Sequence, residues 1–190
     1  KRGELFALDR SSGAPLRSVE ERSVPQRGAV PEEFVSPTQP FSVGMPSFRG
    51  ADLVESSMWG VSPLDQLWCR AKFRQARYDG PMTPPGLEPA VVMPGFMGGM
   101  EWGGVAIDVR RGIAIVNSMQ LPAYLRLIPR AQAEAEGIKH IDIRNVRFQK
   151  FLVTIGLAQE ATPYALLFGP FVSPLGMPCS RTSARPCIAV

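Results

Sequence analysis

Met100-Glu101-Trp102-Gly103-Gly104-Val105-Ala106-Ile107-Asp108-Val109-Arg110-Arg111-Gly112-Ile113-Ala114-Ile115-Val116-Asn117 carries the clearest strand pattern in the chain. Two β-prone runs, Val105–Ile107 and Ile113–Val116, flank a polar turn closed by Gly112, the pattern of a β-hairpin with a loop longer than two residues. Ahead of it, Gly98, Gly99, Gly103 and Gly104 let the backbone take positive φ and approach another surface closely. Glu101 and Trp102, a carboxylate and a large aromatic, sit inside that glycine frame. Asn117 closes the second run, at a strand end where a side chain can serve a site built on a rigid scaffold.

Lys1–Leu16 repeats the same layout: a strand, Asp9, a polar turn, Gly13 and a second strand. Recurrent hairpins of this kind build β-propellers. Residues 17–60, rich in Pro, Ser and Glu, read as a long irregular loop in which Ser36–Phe41 is extended. Residues 62–78 read as a helix, with Ser62 as N-cap, Pro63 at the first helical position and Asp65 completing a capping box. Leu64, Leu67, Trp68 and Ala71 follow helical spacing and form the expected apolar face, beside a basic stripe of Arg70, Arg74 and Arg77. That stripe is either a solvated face or a contact for anionic lipid or another domain. Residues 79–97 are a Pro/Gly connector, and Pro129–Glu136 a short helix stopped by Gly137. Thr162–Phe168 reads as a strand, while residues 138–160 carry little pattern.

The 190 residues suffice for one domain with a core. The 19 prolines and 18 glycines, about a fifth of the chain, favour short strands and many turns. A net charge of +4 is mild, and no basic run interleaved with aromatics marks a nucleic-acid surface. No apolar run of about 20 residues is present. Cys69, Cys179 and Cys187 lack metal-ligand spacing; Cys179 and Cys187 could pair, but an odd count favours free thiols. His140 is the only histidine, which leaves no choice of partner for a Ser/His or Cys/His pair.

Several blocks, in order along nearly the whole chain, resemble the membrane-bound pyrroloquinoline quinone (PQQ)-dependent glucose dehydrogenases of the glucose/quinate/shikimate quinoprotein group. They are Leu8-Asp9-Arg10, Ser36-Pro37-Thr38-Gln39-Pro40-Phe41-Ser42, Met58-Trp59-Gly60, Asp65-Gln66-Leu67-Trp68-Cys69-Arg70, Arg77-Tyr78-Asp79-Gly80, Thr83-Pro84-Pro85-Gly86, Glu101-Trp102-Gly103-Gly104, Leu127-Ile128-Pro129-Arg130 and Pro174-Leu175-Gly176-Met177-Pro178-Cys179.

The resemblance implies an all-β fold, a partial β-propeller of about three blades from an eight-bladed whole, with long loops and one or two short helices. It places residues 1–190 inside the PQQ-binding domain as an interior fragment. Residues 180–190 depart from the family's Lys-Gln-Pro-x-Trp-Gly-like run and read as an aberrant tail. Lys1 matches the lysine that contacts the quinone oxygens, a catalytic as well as cofactor-binding position, and Asn117 an asparagine that hydrogen-bonds the cofactor. Glu101 and Trp102 either line the cofactor pocket or serve the turn and inter-blade packing. The family's catalytic aspartate would precede Lys1, and the ligands of its Ca²⁺ or Mg²⁺ would lie outside this stretch.

The implied activity is oxidation of glucose to its lactone with PQQ as hydride acceptor and ubiquinone as final acceptor, at the periplasmic face of the bacterial inner membrane. Partners are then a sugar or cyclic polyol and, through a membrane domain outside the chain, ubiquinone; nucleic acid is not among them. A quinate or shikimate dehydrogenase, or a non-catalytic propeller remnant serving as an interaction module, are the alternatives.

Overall fold

The computed structural model describes residues 2–96, 98–100, 103–138, 155–158, 161–181 and 185–189. Strands and long loops dominate, arranged among the described residues as three antiparallel sheets that do not close on themselves. β1 (Val19–Ser23) pairs with β2 (Thr38–Ser42) as a surface ribbon in the segment expected to be irregular. Pro40 is tolerated there because this two-stranded ribbon leaves each strand an unpaired edge. β3 (Ala90–Val92), β6 (Ala123–Pro129), β7 (Ile155–Ala158) and β8 (Tyr164–Pro170) form a four-stranded sheet in the order β3-β6-β8-β7. The third sheet joins β4 (Val105–Asp108), β5 (Ile113–Ser118) and β9 (Arg185–Ala189).

The expected hairpin is present, with Val105 opposite Val116 and Asp108 opposite Ile113. Its turn is built by Asp108, whose Oδ1 accepts from the backbone N–H groups of Arg110 (3.0 Å) and Arg111 (3.2 Å), and Gly112 follows at φ 65°. The N-terminal loop uses the same chemistry. Asp9 Oδ1 accepts from the N–H of Ser11 (3.0 Å) and Ser12 (2.8 Å), and Gly13 lies at φ 72°. These bonds hold the Asp9 carboxyl below its ordinary range. The first loop carries only a single bridge, Leu8 to Pro15, in place of full strands.

α1 (Pro63–Gln75) begins as its sequence dictates: Ser62 Oγ accepts from the Asp65 N–H at 3.2 Å and Pro63 fills N1. The Asp65 carboxylate reaches one residue further back than a capping box requires, accepting from the Val61 N–H at 3.1 Å. The expected apolar face is corrected. Leu64 and Leu67 are 80% and 60% exposed, and Ala71 is exposed too. The inward line is instead Asp65, Cys69, Phe73 and Ala76, with Trp68 half-buried at its margin. The helix is rotated because Asp65 is held at its N-terminus and Cys69 is bonded on its inner side.

That bond corrects the reading of the cysteines as free thiols: Cys69 and Cys179 form a disulfide across 110 residues. Sequence spacing carries no information on this pairing, because the two positions meet only through the fold. Both cysteines are fully buried in a cluster with Leu53, Met58, Val91, Met93 and Phe171. Backbone bonds spread the anchorage: the Trp59 N–H donates to the Cys179 carbonyl (2.7 Å), and the Cys179 N–H to the Phe171 carbonyl (3.0 Å). A smaller core under α2 (Arg130–Ala135) joins Ile128, Ala133 and Ala165. α2 and the chain reversal at Gly137 (φ 70°) follow the sequence reading, while β6 is a strand the reading did not assign. His140 lies outside the described residues. No helix among them is long and apolar enough to cross a membrane.

Arg77 also departs from expectation. It leaves the basic stripe and is buried, its guanidinium donating to the carbonyls of Arg27 and Pro84 and pairing with Asp79 at 3.3 Å. Arg70 and Arg74 stay outside and share Glu55.

Two outcomes follow for stability. Reducing the disulfide, or replacing both cysteines by alanine, is expected to remove about 5 kcal/mol in urea unfolding, the chain-entropy value for closing a loop of this length. Arg27, and then Arg77, hold the Asp79 carboxyl below its reference of 3.8. A depressed carboxyl stabilises fully above its unfolded value and loses that contribution as pH falls through the folded one. An NMR titration of the Asp79 carboxyl should therefore give a midpoint below 3.8 that returns towards it in Arg27→Ala.

Candidate functional site

The end of β5 is where distant segments meet. Side chains alternate along a strand, so Val116 and Ser118 point into the protein while Asn117 between them is exposed. Its carboxamide has no hydrogen-bond partner among the described residues. Ser118 ties the strand end to the 47–49 segment by donating from Oγ to the Phe48 carbonyl at 2.9 Å. The Phe48 N–H donates in turn to the Gly3 carbonyl at 2.6 Å.

Gly3 is required at this crossing. Its φ is 78°, and a Cβ there would stand 2.5 Å from the Arg49 nitrogen. The glycine frame before the hairpin closes on the same point. A Cβ on Gly99 would meet the Gly3 Cα at 2.8 Å, and the Gly99 carbonyl accepts from the Met119 N–H at 3.0 Å. Backbone contacts thus gather the N-terminal segment, residues 47–49, the glycine frame and the β5 terminus around one junction. The close approach that the glycines allow in sequence is made, and its partner is another glycine.

Of the four candidate residues, Asn117 alone is described. Lys1, Glu101 and Trp102 lie outside the described residues. Gly3 stands two positions after Lys1, and Met100 immediately before Glu101.

The junction is rich in cations that sequence reasoning did not single out. Arg2 pairs with Glu4 at 2.6 Å and lies 4.7 Å from the centre of the Phe41 ring; Arg22 lies 5.4 Å from the same ring. Arg49 pairs with Asp52 at 2.6 Å, which holds the Asp52 carboxyl below its ordinary range. A cavity of about 130 Å³ opens among Arg2, Glu4, Phe41, Arg49 and Met93. The sequence signal for Ser118 was available, since strand alternation puts it inward when Asn117 faces out; Arg49 carries no local signal. Among the described residues no group of three or more His, Cys, Asp or Glu side chains is placed to hold a metal ion.

An exposed, unpartnered amide on a rigid strand end offers both a donor and an acceptor to a planar ligand with carbonyl and carboxylate rims. That chemistry fits an o-quinone tricarboxylate. Gly99→Ala tests the junction that positions it. The added methyl must displace Gly3 backbone, so a loss of about 2 kcal/mol or more is expected in thermal unfolding, with faster amide exchange at Phe48 and Met119.

The sequence model for the β-propeller domain of PQQ-dependent glucose/ethanol/alcohol dehydrogenases matches residues 1–186. The chain is 44% identical over 183 residues to the glycerol dehydrogenase large subunit of Gluconobacter thailandicus, covering 95% of this chain and 25% of that protein. It is 40% identical to the quinoprotein glucose dehydrogenase of Escherichia coli (95% of this chain, 22% of that one). It is 37% identical to the quinate/shikimate dehydrogenase (quinone) of Acinetobacter baylyi, with the same two coverages. The chain therefore spans about a quarter of the length of these relatives. No solved structure matches it.

Proposed function

Because this chain belongs to the PQQ-dependent glucose/ethanol/alcohol dehydrogenase β-propeller family, we propose that it forms part of the wall that holds PQQ in a polyol-oxidising quinoprotein. The observation that carries this reading is the continuous family match over residues 1–186. The preferred substrate is glucose or a related aldose, oxidised to its lactone. Oxidation of an open-chain polyol is the second reading, favoured by the 44% identity to a glycerol dehydrogenase subunit.

When bound, PQQ supplies a two-electron hydride acceptor. The chain's own residues bind and polarise it. The Lys1 ammonium would donate to a rim oxygen of the bound quinone and favour negative charge there, which makes it the proposed catalytic cation of this segment. Asn117 would orient the ring through its amide, and Glu101 and Trp102 are assigned to the same cofactor by the family resemblance alone. In the longer protein an aspartate ahead of Lys1 accepts the substrate hydroxyl proton. Ca²⁺ or Mg²⁺ is held by groups outside this chain. In the longer protein ubiquinone, at the periplasmic face of the inner membrane, would be the final electron acceptor.

The intact protein, titrated with PQQ in the presence of Ca²⁺ or Mg²⁺, should reduce an artificial dye with glucose or glycerol as donor. Asn117→Ala is expected to weaken PQQ binding about tenfold, the worth of one well-placed hydrogen bond. Lys1→Gln should lower kcat by about 10²-fold, as loss of a charge-stabilising donor does. Absence of PQQ-dependent reduction with glucose, glycerol and quinate alike would overturn the reading.

A further inference from the structure

A second, larger cavity, of about 430 Å³, opens between the 51–58 segment, the first turns of α1 and the Ser180–Arg181 end of the core. Its size falls in the range of small-molecule sites. Gln120, three residues beyond Asn117, forms one wall. Its polar groups are arranged with unused capacity.

Asp52 takes the bonds from Arg49 and Tyr78 on Oδ1, at 2.6 and 3.4 Å, which leaves Oδ2 as an acceptor. Gln66 donates from Nε2 to the Met58 carbonyl at 3.0 Å and keeps Oε1 as an acceptor. The Gln120 amide has no hydrogen-bond partner among the described residues. The Ser180 hydroxyl is buried without one, in a residue only 5% exposed. An unpaired buried hydroxyl is unfavourable until something bonds it.

Hydroxyl groups both donate and accept, so a ligand carrying several of them satisfies this mixed set where a simple anion or cation would not. The two charged residues of the lining, Asp52 and Arg181, are of opposite sign, so the cavity lacks the single-sign field that a phosphate or polycarboxylate needs. Met58 and Met93 supply apolar wall for the C–H face of such a molecule. Gly50 keeps the space open, because a Cβ there would come within 3.0 Å of the Gln120 side chain.

We propose that this cavity is the polyol site of the protein, with Asp52, Gln66, Gln120 and Ser180 as the groups that bond the substrate hydroxyls. As the substrate pocket of a dehydrogenase it rests on the function proposed above; as a polyol-binding site it stands on its own donors and acceptors. Gln120 is a specificity-determining residue, because it joins this pocket to the β5 end that presents Asn117.

The test uses the intact protein free of PQQ and ligand-observed saturation-transfer NMR with glucose and with glycerol. Ala51→Phe, at the exposed mouth, and Gln120→Leu, in the wall, are each expected to weaken polyol binding about fivefold to tenfold. Circular dichroism and PQQ affinity, followed by its absorbance, should stay at the parental values. No saturation transfer from either polyol, or transfer that both variants leave unchanged, would overturn the assignment. Polyol binding that depends on Ala51 and Gln120 in a protein that fails to bind PQQ would uphold the cavity and sink the dehydrogenase reading alone.

Discussion

The covalent tie between Cys69 and Cys179 is the constraint on which the arrangement of this chain depends. It joins a helix in the first half to a proline-rich turn near the end, and it lies at the centre of the larger core. With so much of the chain in loops, a crosslink of this span restricts the unfolded ensemble where few regular elements do so. It also decides what the helix buries. Once Cys69 points inward, Asp65, Phe73 and Ala76 follow it by helical geometry, and Leu64 and Leu67 are carried to the surface. Through the backbone of Cys179 the same anchor reaches Trp59 and Phe171, and Phe171 in turn reaches Pro122, just before β6.

From that anchored core, β3 and β6 run out to the edge at which the glycine junction forms. There the protein relies on missing side chains. Gly3 and Gly99 touch backbone to backbone, and any Cβ at either position would force these loop segments apart. The Ser118 hydroxyl and the Phe48 peptide complete the crossing with hydrogen bonds. A scaffold held this tightly presents the exposed Asn117 amide in a fixed direction, as its proposed role in holding a planar cofactor requires.

Buried polarity marks the boundary between local and long-range causes. Arg77 sits among bases in sequence and belongs by spacing to a solvated stripe with Arg70 and Arg74. In the fold it replaces water with the carbonyls of Arg27 and Pro84 and the carboxylate of Asp79. Its partners lie 50 and 7 residues away. Arg74 and Arg70, only three and seven residues before it, bond Glu55 at the surface instead. The sequence distinguishes none of these three arginines, because the difference lies in which chain segment arrives opposite each.

Sequence alone determined the features governed by a few neighbouring residues. These are the hairpin and its Asp108 turn, the matching turn at Asp9, the Ser62–Pro63 start of α1 and the Pro129–Gly137 limits of α2. Each is fixed within one or two turns of chain by hydrogen bonds and dihedral preferences that short peptides already express. The order of its motifs also determined the family. Tertiary structure decided the rest: the partner of Cys69, the buried side of α1, the burial of Arg77, the contact of Gly99 with Gly3, and the cavity between Asp52 and Gln120. Those depend on contacts between residues from tens to more than a hundred positions apart, and their free energy comes from packing and desolvation that no local pattern encodes.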